Sequence, residues 1–142
     1  MLPFYEPVYN ITADAGVKVW GKDEKELICN LLLATVNEMV DLQKVEPKGE
    51  ITLEVESLGF PYLLADVVNK LLFLFDVKKF VPAECRVLEL SPNGERVKLL
   101  LKGEKYSPEK HGRKLLIKAA TYHRLRMKKR DNGYEAEVIF DI

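Results

Sequence analysis

Two acidic groups stand side by side at the end of this sequence: the Asp141 side chain and the terminal carboxylate of Ile142. They follow Tyr134-Glu135-Ala136-Glu137-Val138-Ile139-Phe140, an alternating run that reads as a strand. A strand paired to its end would hold both carboxylates in place, and hard cations take oxygen donors of this kind. Such a corner lacks only a third ligand. The alternative reading is an ordinary terminus with Asp141 in water. Another carboxylate, Asp14, falls in Thr12-Ala13-Asp14-Ala15-Gly16, read as a loop between short strands at 5–10 and 17–20. There it can reach a cation or cap its own loop, and spacing alone does not couple it to Asp141. Of the two histidines, His123 in Thr121-Tyr122-His123-Arg124 has more claim to a site, whereas His111 reads as exposed in a basic loop.

The charge is balanced overall but not along the chain. Residues 1–60 carry eleven acidic and five basic side chains, and residues 61–142 carry eleven and seventeen, so opposite net charges separate the two parts. No acidic side chain occurs between 113 and 130. Lys118, Tyr122, Arg124, Arg126, Lys128 and Arg130 share one parity, so an unbroken strand would set them on one face suited to phosphates, to RNA or to an acidic partner. Glu135 and Glu137 would neutralise part of it. No Walker loop, dinucleotide glycine fingerprint, Cys-x-x-Cys or His-Glu-x-x-His is present, and no serine has a nucleophile's context. Cys29 and Cys85, far apart in sequence, read as two buried thiols rather than a disulfide. No apolar stretch is long enough to cross a membrane, and the N-terminal residues lack the pattern of a secretion signal.

The elements that must position these groups are two helices and about seven strands. Asp23 with Glu26 forms a capping-box start for a helix to about Val40, with Leu27, Ile28, Leu31, Leu32, Val36 and Met39 at helical spacing. Leu64, Val68, Leu71, Leu72 and Phe75 define a second helix with Asp66, Asn69 and Lys70 on its wet side. Strands are expected at 51–56, 79–90, 95–106 and 115–130, besides those at the two ends. The fold class is α+β, a two-layer domain with two helices packed on a mixed, largely antiparallel sheet. Asn132-Gly133 predicts a two-residue hairpin turn. Pairing outward from Asp131 and Tyr134 sets Arg130 opposite Glu135, Lys128 opposite Glu137, Met127 opposite Val138, Leu125 opposite Phe140 and Arg124 opposite Asp141.

Thr12-Ala13-Asp14, Gly21 before the first helix, Met39-Val40-Asp41-Leu42, Leu71-Leu72-Phe73-Leu74-Phe75-Asp76, Lys118-Ala119-Ala120-Thr121-Tyr122-His123 and the ending Val138-Ile139-Phe140-Asp141-Ile142 together resemble archease. The resemblance covers residues 1–142 as a single archease-like domain. It implies a cytoplasmic, non-catalytic activator of the GTP-dependent tRNA-splicing ligase, promoting guanylylation and turnover of that enzyme. It also implies a metal site of Asp14, Asp141 and the Ile142 carboxylate, with calcium as the usual ion and another divalent cation as the alternative. Asp141, Asp14 and His123 become the residues expected to matter for activation. Lys118, Tyr122, Arg124, Arg126, Lys128 and Arg130 become a candidate docking or tRNA-contact face. Two rival readings remain: an RNA-binding module built on that basic face, and a metal-dependent phosphoryl-transfer enzyme, for which no base and nucleophile set is visible. The chain departs from the family pattern at Ile11, where His is usual, at Val67, where Trp is frequent, and at Arg124, where Gly is common.

Overall fold

The computed structural model describes residues 4–9 and 14–142, so Ile11, Thr12 and Ala13 lie outside the described residues. In chain order the elements are β1 (Tyr5–Val8), β2 (Asp14–Gly21), α1 (Glu24–Met39), a 3-10 turn (Leu42–Lys44), β3 (Gly49–Glu56), α2 (Tyr62–Lys78), β4 (Phe80–Leu90), β5 (Arg96–Lys105), the short α3 (Pro108–His111), β6 (Ala119–Arg130) and β7 (Gly133–Asp141). α1 starts where its cap is written. The Asp23 carboxylate accepts from the Glu26 N–H at 2.8 Å, and Glu26 reaches back to the Lys22 N–H at 2.9 Å. α2 ends at Lys79, whose left-handed backbone (φ +54) returns an N–H to the Phe75 carbonyl.

The α+β class holds, with helices packed against antiparallel sheets. The strands divide between two of them, ordered β1-β2-β7-β6 and β3-β5-β4. α1 packs on β2 and β7 of the first sheet and on β4 of the second, while α2 packs on β6, β3 and β4. Cover from both sheets explains why burial runs around most of each helix rather than along one stripe: Leu63, Ala65, Val67 and Leu74 of α2 are buried beside the expected Leu64, Val68 and Leu71. It also corrects the reading of the cysteines. Cys29 on α1 and Cys85 on β4 form a disulfide, their Cα atoms 5.4 Å apart, because α1 lies directly on β4 despite a sequence separation of 56. Asn69, expected on the wet side of α2, instead does the work of a missing strand. Its amide donates to the Ala120 carbonyl at 3.0 Å and accepts the Ala120 N–H at 2.8 Å, fixing the edge of β6.

The β6–β7 hairpin forms, but in another register. Arg130 pairs with Gly133, so Asp131 and Asn132 occupy the turn, and Lys128, Met127 and Arg126 oppose Glu135, Ala136 and Glu137. Gly133 takes φ +137, and a Cβ there would stand 2.1 Å from the Gly21 carbonyl oxygen, so the glycine serves a close backbone approach after the turn. The difference from the expected register is two residues. Such a slip keeps every side chain on its face, and the apolar pattern is blind to it. A bulge then breaks the ladder: Thr121 pairs with Ile139, so Tyr122, His123, Arg124 and Leu125 oppose Val138 alone, with Arg124 at φ +57. Parity flips across it, with Leu125 and Met127 turned inward on one side and Ala120 on the other. The single-face stripe expected from Lys118 to Arg130 is therefore split, and Lys118 itself precedes β6.

His111 is fully buried, against the expectation of an exposed loop residue. Its Nδ1 accepts the Ser107 N–H at 3.0 Å, which leaves the ring proton on Nε2 to donate to Glu104 at 2.8 Å. Glu104 also accepts from the Glu46 N–H at 2.9 Å and from Lys110, and Lys110 in turn binds Glu46. The cluster ties the end of β5 and α3 to the segment after the 3-10 turn. From it the chain crosses the end of α1, with the Lys114 and Leu115 N–H groups on the Met39 and Glu38 carbonyls, and enters β6. Burial alone pushes the Glu104 carboxyl up, but the bonds from Glu46, His111 and Lys110 outweigh it and bring it down to about 2. A depressed carboxylate contributes stability above its unfolded pKa and loses it as pH falls toward the folded one. Glu104→Gln is thus expected to cost about 2 kcal/mol at neutral pH. Urea unfolding should show that deficit shrinking from about pH 4 toward about pH 2.

Candidate functional site

β2 and β7 bring the two acidic residues together. Asp14 is the first residue of β2, not a loop residue, and pairs directly with Asp141 near the end of β7. Side chains directly opposite in an antiparallel pair share a face, with Cβ atoms about 4.5–5.5 Å apart. The placement is firm because the neighbours are locked: Ala15 and Phe140 are buried on the opposite face, and a Cβ on Gly16 would stand 2.6 Å from the Val138 carbonyl oxygen. On its other side Asp141 pairs with Ala119, and its carbonyl accepts the Lys118 N–H at 2.8 Å. Asp14 is half-buried, and Asp141 and Ile142 are exposed.

Arg124 does not stand opposite Asp141. The bulge carries it back along the sheet to Glu137, 3.7 Å away, and Ala119 occupies the expected position. Glu137 lies four residues from Asp141 on the same face, roughly 14 Å at strand spacing. Among the described residues neither Asp14 nor Asp141 has a Lys, Arg or His within ion-pair reach. Like charges directly opposite in a sheet repel, so the pair gains from a bound cation. Among the described residues no three His, Cys, Asp or Glu side chains group around one point fit for a metal. Two side-chain carboxylates form an all-oxygen pair that fits a hard divalent ion better than a soft one.

The remaining expected residues fall elsewhere. His123 is exposed within the bulge. Tyr122 donates to Asp66 at 2.7 Å, which holds its phenol above the ordinary range, and its ring meets Tyr62 edge-on. Arg126 binds Glu137 at 2.5 Å, and Arg130 spans both oxygens of Glu135 at 3.1 Å, holding that carboxyl below its usual range. Lys118 and Lys128 are exposed. Lys18, Arg124, Arg126, Glu6 and Glu137 line a surface cavity of about 380 Å³.

One buried cluster was not foreseen. Glu38, buried at the end of α1, accepts the hydroxyls of Tyr5 and Tyr9, each at 2.6 Å, and Asn37 donates to Tyr5. Burial first and the Glu38 bond second raise both phenols, Tyr9 to about 12. The pair pins the strand that leads toward Asp14. A glutamate at the spacing of Leu31, Thr35 and Glu38, on the buried side of α1, was the available signal.

The sequence matches the family described as the archease protein family (MTH1598/TM1083) over residues 5–142. An archease from Methanosarcina mazei is 36% identical over 133 residues, covering 92% of this chain and 91% of its own. One from Methanosarcina acetivorans is 38% identical over 135 residues, covering 92% and 91%. Among solved structures, protein 1598 of Methanobacterium thermoautotrophicum superposes with a TM-score of 0.77 at 27% identity, covering 99% of this chain and all of that one. An archease from Thermotoga maritima shares the fold with a TM-score of 0.60 at 19% identity, covering 95% of both. The chain belongs to the archease family, non-catalytic accessory proteins known as activators of the tRNA ligase.

Proposed function

We propose that this chain activates the GTP-dependent tRNA-splicing ligase in the cytoplasm by presenting the edge formed by Asp14, Asp141 and the Ile142 terminal carboxylate. The observation that carries this reading is the direct cross-strand pairing of Asp14 with Asp141, with no counter-ion among the described residues. Calcium, or another hard divalent ion, is the cofactor such a donor set would take. When bound it would supply positive charge for phosphate oxygens at the tip of the sheet. Asp141, more exposed than Asp14, would meet the ligase first, and Asp14, anchored within the sheet, would hold the donor spacing. His123 is proposed to contribute through docking, since it lies in the bulge and outside the carboxylate row.

A multiple-turnover ligation assay with the cognate ligase and GTP tests the reading. Wild type is expected to raise guanylylation and turnover, and Asp141→Ala to abolish the gain while unfolding like wild type. Asp14→Ala should reduce it. A chain extended past Ile142 should reduce it too, because the extension turns the terminal carboxylate into a neutral carbonyl. Full activation by Asp141→Ala would sink the proposal.

Metal binding has its own readout, independent of the ligase. Calcium at about a hundred times its dissociation constant should stabilise the wild-type chain by about 2.7 kcal/mol. In Asp141→Ala that increment should vanish. The metal-free variant should be no less stable than metal-free wild type, because the repulsion between the paired carboxylates is gone. Thermal unfolding with and without calcium, after chelation, measures both.

A further inference from the structure

The bulge in β6 exposes Tyr122, His123 and Arg124 in succession, where a regular strand would turn every second side chain inward. It straddles an edge of the first sheet, because β6 is the outer strand. On the α2 side, Tyr122 meets Tyr62 with ring centroids 5.1 Å apart at 61°, and its hydroxyl is fixed on Asp66. Both rings stay accessible, Tyr62 at 40% and Tyr122 at 50%. On the other side, φ +57 at Arg124 turns its guanidinium to Glu137 beside that of Arg126. One carboxylate cannot occupy two guanidinium forks of five N–H donors each, and about half of each arginine side chain remains in solvent. Glu137, Glu6 and Asp66 are acidic groups nearby, and Glu54 and Glu56 line a cavity together with Asp66. Glu137 and Asp66 are engaged by the arginines and by Tyr122, and Glu6 is the cross-strand partner of Lys18. Lys118 and Lys128 extend the positive charge before and after the bulge.

We propose that this bulge, with Tyr62 of α2, is a binding surface for unpaired RNA, one base stacking on the Tyr62–Tyr122 pair and the adjoining phosphates taken by Arg124 and Arg126. A rigid aromatic pair flanked by guanidinium donors with spare capacity is the chemistry by which single strands are held without reading their sequence. A duplex keeps its base faces stacked and cannot use the tyrosines. RNA is the source to which the proposal commits, because the family serves an RNA-joining enzyme. The surface lies apart from the Asp14–Asp141 row, so it stands or falls independently of the metal reading.

The test is fluorescence anisotropy of a labelled single-stranded oligoribonucleotide of about ten nucleotides with the full chain, without ligase, across a potassium chloride series. Tyr122→Ala is expected to weaken binding by about tenfold, within the range for losing one stacked base. Tyr122→Phe, which keeps the ring and loses the Asp66 bond, should stay within about twofold of wild type. Arg124→Gln leaves the Arg126–Glu137 bond in place and should lower the slope of log affinity against log salt by about 0.7. Asp141→Ala should bind RNA as wild type does. Three results would each overturn the proposal: a duplex of the same sequence binding as tightly, Tyr122→Ala binding undiminished, or no measurable affinity of the wild-type chain for the oligoribonucleotide.

Discussion

The register of β7 is the constraint on which the rest of the structure depends. Lying between β2 and β6, it contributes Ala136, Val138 and Phe140 to the core, and a one-residue slip would turn all three out of it and set Glu135, Glu137 and Asp141 in their place. Burial of Phe140 alone contributes about 2–3 kcal/mol against such a slip. Once the inward residues are fixed, the outward rows are fixed with them: Asp14 beside Asp141 and Ala119 at one end, Lys18 beside Glu137 and Arg126 further along. The geometry of the acidic corner is therefore an output of core packing, even though Asp141 touches no part of the core.

The same strand explains the helices. Because the inner face of the first sheet and the inner faces of β3, β4 and β5 share one continuous core, α1 and α2 need apolar side chains facing both. Glu38 is tolerated on the buried side of α1 only because Tyr5 and Tyr9 supply two hydroxyl donors. The bonds that satisfy a buried charge also anchor β1 to α1. His111 and Glu104 do the equivalent where the chain turns across the end of α1 toward β6.

Local signals were legible in the sequence, and relations between distant segments were not. The cap at Asp23, the apolar spacing of both helices and the extended run of β7 are decided within a few residues, and each element appears where the pattern puts it, although β7 buries Ala136 to Phe140 without a break. The hairpin is the informative failure. Charge and apolar pairing supported the register with Arg130 opposite Glu135, yet a register two residues away satisfies the same polarity, and the ion pair between those residues survives diagonally. The hairpin pattern also contains nothing of the close pass of Gly133 over Gly21, a contact between segments more than a hundred residues apart. The Cys29–Cys85 bond, the burial of His111 and the pairing of Asp14 depend on contacts of the same non-local kind. The coupling of Asp14 to Asp141 reached the sequence reading only through family resemblance, and the fold supplies its physical basis.

Glu137 and Asp141 show what the bulge accomplishes. They lie on the same face of the same strand, yet Glu137 is buried under two guanidinium groups and Asp141 is exposed without one among the described residues. In an unbroken hairpin of the same register, Arg124 would pair with Ile139, midway between Glu137 and Asp141. Inserting extra residues before Arg126 shifts Arg124 to Glu137, where burial makes a counter-ion necessary. The left-handed backbone at Arg124 carries a cost for a residue with a side chain. Its conformation sets Arg124 within the bulge, 3.7 Å from Glu137 rather than beside Asp141. Glycine is the residue that adopts this backbone most readily; an arginine there adds a charge that the buried Glu137 uses.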